Sequence, residues 1–333
     1  MDQSHYGYAF AVTATIQDLD PSYQYCHVLG HELSAKETAK DPSRWKDVVA
    51  RSPLGMCSNG GVHGAFQERF RVEHFDEDED YTRIVPELEG VCKPREGWEP
   101  TRMGQATCVH ALGHLTMYVT NADINKALEL CDLLLADDQH GGEKQLCYDG
   151  AFMQIYQPLE PEDFALIEGK EIETKEESAE FCATFVDDKK LSCLMGRWPL
   201  FLETIETPAT VSLICEPLRD DVDAYRFCHK GTFAAVTTLV AENDVERVEL
   251  YCAAVPTEVQ SWCFADAVAR FLTTDITYTD RALAMCSAAV GYGVEHQCYK
   301  EIIRYMGFIF TPDDPDRTAL CRALPPIYQT QCQ

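Results

Sequence analysis

The sequence predicts an all-α chain, an α-solenoid of about eight antiparallel helical hairpins stapled by disulfides. Three observations carry that expectation. Cysteines recur at a nearly constant interval. Each is followed by apolar residues at helical spacing. Turn and cap residues separate one helical pattern from the next.

The first element of each repeat follows a cysteine. Cys228, Cys263 and Cys298 stand 35 residues apart, and Cys332 comes 34 residues later. Upstream, Cys108, Cys147 and Cys193 give intervals of 39 and 46 residues. The patterns are CVHALGHLTMYV, CYDGAFMQIY, CLMGRWPLFLETI, CHKGTFAAVTTLV, CFADAVARFLTT and CYKEIIRYMGFI. We term these the A helices.

A second cysteine follows the first by 22 to 24 residues at Cys131, Cys215, Cys252, Cys286 and Cys321. It closes a second helical pattern: INKALELCDLL, ATVSLICEPL, VERVELYCAAV, DRALAMCSAA and DRTALCRAL. These are the B helices. Linkers such as TNAD and TPDDPD supply turn and N-cap residues between A and B. A hairpin of about 35 residues cannot bury its apolar face alone, whereas stacked hairpins can. The expected organisation is one domain over 1–333. Residues 1–107 form degenerate repeats with histidine-rich helices, and 108–333 form regular ones.

The same spacing predicts the disulfides. A B-helix cysteine precedes the next A-helix cysteine by 11 to 16 residues, a loop short enough to join two helix ends. The pairs are Cys92–Cys108, Cys131–Cys147, Cys182–Cys193, Cys215–Cys228, Cys252–Cys263, Cys286–Cys298 and Cys321–Cys332. Cys26 and Cys57 remain and make the eighth bridge, so all 16 cysteines are used. Each bridge stabilises by roughly 2–4 kcal/mol. Such a framework places the protein in an oxidising compartment, extracellular or periplasmic. No C-x-x-C occurs, which excludes zinc-ribbon, thioredoxin-type and c-type haem readings.

Two units are longer. Cys57 to Cys92 and Cys147 to Cys182 each span 35 residues. Their insertions, DEDEDY at 76–81 and a second acidic stretch over 160–178, are expected to be exposed loops or extra helix on one face.

At 46% hydrophobic the 333-residue chain can bury ample core, yet no run of about 18 apolar residues is present to span a membrane. The early apolar stretch YAFAVTATI has no basic flank and does not read as a signal peptide. A net charge of −27 argues against nucleic-acid or anionic-membrane partners and fits a cationic peptide or protein partner.

The paired helices resemble tetratricopeptide-type helical-hairpin repeats, and most closely the exported cysteine-rich members in which a disulfide staples each hairpin. CYDGAFMQIY and CHKGTFAAV in A, with ALELC and ALAMC in B, carry the resemblance over roughly residues 100–333. It implies fold and compartment rather than activity. A β-lactam-binding role, linked to some of those proteins, finds no support. The S-x-x-K from Ser43 to Lys46 lacks S-D-N and K-T-G companions.

Histidines are what the repeat does not explain. H-x-L-G-H occurs twice, giving His27/His31 and His110/His114, each pair four residues apart. That spacing puts both imidazoles on one helix face, a common grip on a first-row metal. His63 and His114 each occupy the sixth position after their A-helix cysteine, so stacking of neighbouring repeats should make them neighbours. His27/His31 lies one unit earlier. Five imidazoles are thus expected to converge as ligands of zinc or copper.

The second position after the A cysteine reads Asn59, His110 and Asp149 in successive units. Asp149 is the candidate catalytic carboxylate, as ligand, orienter or general base. Met153 at a sixth position would tilt the site toward copper. Later units replace these polar residues with Met195, Lys230 and Ala234.

Gly30, Gly113, Gly150 and Gly231 are expected to allow close A-helix packing. His74, His140, His229 and His296 read as surface or local histidines. HELSA lacks the second histidine of a zincin, and no G-x-S-x-G, P-loop or dinucleotide fingerprint is present.

The first function expected is therefore a metal-binding protein, in particular a metalloenzyme that activates water or oxygen, either a metal-dependent hydrolase or an oxidoreductase. The alternatives are an acidic solenoid that binds a cationic partner and a structural scaffold.

Overall fold

A computed structural model describes residues 3–19, 26–53, 56–57, 60–71, 73, 80–138, 142–158 and 161–332. Asn59, His74, His140 and most of the DEDEDY segment lie outside the described residues. The described chain is all-α, and its extended pairing is limited to an isolated bridge between Arg95 and Trp98. It divides into two compact units, Met1–Pro199 and Leu200–Gln333.

The first unit begins with α1 (Gln3–Leu19), α2 (Cys26–Thr38), α3 (Trp45–Arg51), α4 (Gly60–Phe70) and α5 (Val85–Leu88). It continues through α6 (Arg102–Val119), α7 (Ile124–Leu134) and α8 (Glu143–Tyr156) to α9 (Pro161–Leu166), α10 (Lys175–Ala183) and α11 (Asp187–Gly196). Local chemistry sets several of these starts. The Thr101 hydroxyl accepts from the Gly104 N–H at 3.2 Å and opens α6. The Asp123 carboxylate caps α7, and a Thr174/Glu177 capping box opens α10.

Within this unit the A helices pack side by side in the order α2, α4, α6, α8, α11. Helix α7 fills the angle between α6 and α8. The core between them holds Phe66, Phe70, Leu112, Leu115, Met117 and Phe152.

The second unit contains α12 (Leu202–Glu206), α13 (Val222–Ala235), α14 (Val245–Ala254) and α15 (Thr257–Thr274). After these come α16 (Thr279–Ala289), α17 (Glu295–Ile309), α18 (Pro315–Ala323) and α19 (Pro326–Gln329). Helix α15 packs against α13, α16 and α17, with Phe264, Phe271, Ile302 and Met306 buried.

Two expected helices are broken. CLMGRWPLFLETI does not continue as one A helix: α11 ends at Gly196, and a 3₁₀ turn over Trp198–Phe201 intervenes before α12. Pro199 accounts for the break, since its ring excludes the carbonyl four residues back and it offers no N–H. ATVSLICEPL forms two 3₁₀ segments, Pro208–Ile214 and Glu216–Leu218, in place of a B helix. Pro208 and Pro217 frame a run containing β-branched Thr210 and Val211, all poor helix formers.

All eight disulfides form in the pairing expected from the spacing, and no cysteine is left over. Such a framework belongs to an oxidising, extracellular-type compartment. Among the described residues, no helix is long and apolar enough to cross a membrane.

Candidate metal centre

Three helices of the first unit meet through their histidines. Helix α2 carries His27 and His31, α4 carries His63, and α6 carries His110 and His114. Four-residue spacing stacks each pair on one face. The Nε2 atoms of His27 and His31 are 3.1 Å apart, and those of His110 and His114 are 3.3 Å apart. His63 lies between the pairs: its ring centroid is 4.9 Å from that of His31 and 4.7 Å from that of His114. His27 is 5.1 Å and His110 6.0 Å from the same ring. All five histidines predicted from the sequence are therefore brought together, and His63 and His114 are the neighbours that stacking requires.

Glycine makes this convergence possible. A β-carbon on Gly60 would sit 2.2 Å from the His27 carbonyl oxygen, and one on Gly64 would sit 2.0 Å from that of His31. On the other side, a β-carbon on Gly113 would meet the Cys147 carbonyl oxygen at 2.0 Å, and one on Gly150 that of His110 at 2.1 Å. Backbone touches backbone at α2/α4 and α6/α8. Ordinary helix pairs keep their axes about 8–10 Å apart. At that spacing the short imidazole side chains of α2 and α4 would reach one another less readily, and so would His114 on α6 and Gln154 on α8. Gly30 also packs closely, its β-carbon position lying 3.3 Å from the Gly61 nitrogen.

Hydrogen bonds fix the ring tautomers. His27 Nδ1 lies 3.3 Å from the Cys57 carbonyl oxygen and donates to it. His114 Nδ1 lies 2.7 Å from Gln154 Oε1 and donates to it. With the proton on Nδ1, each ring turns an Nε2 lone pair toward its helical partner, the arrangement that outer hydrogen bonds impose on metal-ligating histidines.

Two of the imidazoles, His63 and His110, are also held neutral. Burial drives the His63 imidazole well below its usual range, and the other four histidines, His114 first, push in the same direction. Burial, with His114 beside it, brings His110 down to about 3 despite an opposing backbone hydrogen bond at Leu146. Neutral imidazoles are the form that binds metal. His31 and His63 are buried, while His27, His110 and His114 are half-buried, so the group is reachable from solvent.

His27, His31 and His63 form a three-imidazole group spaced to hold a metal ion, their ligand nitrogens all within 4.8 Å of one another. Ligands at about 2.0–2.1 Å from a tetrahedral ion are separated by about 3.3 Å. The Nε2 separations of 3.1 and 3.3 Å match that bite.

Asp149 sits on α8 beside Gly150, with its Oδ1 shielded from solvent. Met153 is half-buried on the same helix. Three contributors, Gln154, Gly60 and Gly64, were not among the residues expected from sequence. Gln154 adjoins Met153, and only the α6/α8 contact shows that it orients His114. Gly60 and Gly64 were legible in GGVHG as glycines four residues apart, flanking His63.

Of the histidines read as surface or local, one is not at the surface. His229 on α13 is fully buried rather than exposed, packed among Tyr225, Phe233 and Trp262 with ring centroids 4.5, 5.5 and 5.6 Å away. The aromatic residues four places to either side lie on its own helix face, and Trp262 covers it from α15. His296 is exposed and contacts the Tyr328 hydroxyl, a local role.

Comparison with protein-family models, with curated proteins and with solved structures finds no match for this chain. Its function is therefore argued from its own chemistry.

Proposed function

We propose that this chain is an exported, extracellular or periplasmic, metal-binding helical-repeat protein. Its imidazole cluster holds zinc or copper and serves a metalloenzyme that activates water or oxygen. The observation that supports this most directly is the three-imidazole group of His27, His31 and His63 at ligand spacing, with His31 and His63 buried and the His63 imidazole held neutral by burial. A bound zinc or copper ion would supply Lewis acidity toward water, or redox chemistry toward oxygen.

The chain's own residues have separable roles in this reading. Gly60 and Gly64 bring α4 onto α2. The Cys57 carbonyl and the Gln154 amide orient His27 and His114. Asp149 acts as the general base, accepting a proton at its carboxylate. The tetratricopeptide-type identity and the continuation of the hairpins as one solenoid of about eight repeats belong to the same proposal. Side-by-side A helices and one staple at each junction support them.

The test is elemental analysis of untagged protein from its native source. At least one stoichiometric equivalent of zinc or copper is expected. Metal-free protein would sink the reading. Asp149→Asn should retain the metal; loss of metal in that variant would make Asp149 a ligand instead of a base. A second reading, capture of a cationic peptide or protein, draws on the net charge of −27. It predicts salt-sensitive binding of a basic peptide that does not depend on His63.

A further inference from the structure

We propose that the cluster holds two metal ions, the second at His110 and His114. This rests on the metal-binding reading above and deepens it. His27, His31 and His63 already make a complete set of three protein ligands for one ion. His110 and His114 form a pair of their own on α6, with Nε2 atoms 3.3 Å apart, the separation of two ligands on one ion.

The His63 ring stands between the two pairs, its centroid 4.7 Å from His114 and 6.0 Å from His110. One ion ligated by both pairs would require them to close on each other through the space that this ring fills. His63 is itself buried, in a helix pressed against α2 by Gly60 and Gly64, so it has little room to withdraw.

The second pair is built with the same care as the first. His114 Nδ1 donates to Gln154 Oε1 at 2.7 Å, which directs its Nε2 lone pair toward His110. Gln154 is buried, and its Nε2 has no hydrogen-bond partner among the described residues. A buried amide that leaves one end unsatisfied to hold an imidazole is costly unless that orientation serves something. The second ion has two imidazoles and an otherwise open coordination sphere, the arrangement that catalysis needs. The three-histidine ion is the more enclosed of the two.

The experiment loads metal-stripped, disulfide-intact full-length protein with zinc chloride and counts bound zinc by mass spectrometry after desalting. Wild type should bind two equivalents. His110→Ala/His114→Ala should bind one, and so should His27→Ala/His31→Ala. His114→Gln, a milder change that keeps a polar side chain at the site, should also bind one.

Copper(II)-loaded wild type gives a readout that needs no variant. Two neighbouring ions couple and broaden the electron paramagnetic resonance signal, whereas a single ion gives an uncoupled spectrum. One equivalent in wild type, unchanged by His110→Ala/His114→Ala, overturns the second ion and leaves the three-histidine site standing. One equivalent that either double variant abolishes also overturns it, in favour of a single shared ion. No bound metal defeats this inference together with the reading beneath it.

Discussion

In the first unit, glycines beside the histidine cluster stand where helices touch: Gly64 under the His31 carbonyl and Gly113 under that of Cys147. In the second unit, Gly307 on α17 faces open space: beyond its own helix backbone, none of the described residues comes within 4 Å of the position a β-carbon would take. Helices α15 and α17 pack through side chains such as Phe264, Phe271, Ile302 and Met306. The histidines differ in the same sense. His63 is surrounded by other imidazoles, whereas His229 is surrounded by aromatic rings. Close backbone contact is thus tied to a polar cluster that needs short reach, and it is dispensable where the interior is apolar.

The largest test of that link is to fill the glycine contacts. Gly64→Ala and Gly113→Ala each place a methyl group 2.0 Å from a backbone oxygen, so two helices must separate. Overpacking costs about 1–3 kcal/mol, and a clash with backbone falls at the upper end because no side chain can rotate away. Tm should fall by about 6–12 °C. Metal affinity should fall with it, at Gly64 because the imidazoles of α2 and α4 lose their spacing and at Gly113 because α8 carries Gln154 away from His114. A variant that kept both its Tm and its metal content would break the connection between close packing and the site.

That result would also measure what the sequence made legible. The disulfide pairs followed from cysteine spacing, because a staple leaves a regular interval along the chain. The five histidines followed from repeat position, because stacked repeats convert sequence register into spatial neighbourhood. Gln154 did not follow, since its role exists only through the contact between α6 and α8. Nor did the burial of His229. A histidine beside a cysteine reads alike at the surface and in the core until Trp262, 33 residues away in sequence, is placed over it. Apolar spacing predicts continuous helices around Pro199 and Pro208, but proline's local effect on the backbone is strong enough to break them.

His229 gives the next test. Both its ring nitrogens are buried without a hydrogen-bond partner among the described residues, and burial, reinforced by the Arg226 charge, pushes it down to about 4. The folded state therefore holds it neutral, while the unfolded chain protonates it near 6.5. Its contribution is fully present above that value. It is lost as pH falls from 6.5 toward about 4, and below that the loss levels off. His229→Phe should flatten the difference in denaturation midpoint between pH 7 and pH 4.5. It should also add about 1 kcal/mol at neutral pH by removing two orphaned polar atoms. Identical pH slopes in variant and wild type would show that this histidine is not held neutral by its aromatic surroundings.

The smallest effect is the sharpest control on the glycine argument. If glycine were simply tolerated throughout these helices, Gly307→Ala and Gly113→Ala would behave alike. The geometry says they differ in sign. Gly307 lies inside α17 with open space at the β-carbon position, so alanine there removes backbone freedom from the unfolded chain and introduces no clash. The gain should be about 0.5–1 kcal/mol, read as a higher urea midpoint with an unchanged slope. Metal content should not move, because the substitution lies in the second unit. A loss of stability at Gly307 would mean that α17 approaches a neighbour in solution more closely than its packing indicates. The contrast between a packed and an unpacked glycine would then no longer explain why the first unit alone gathers its histidines.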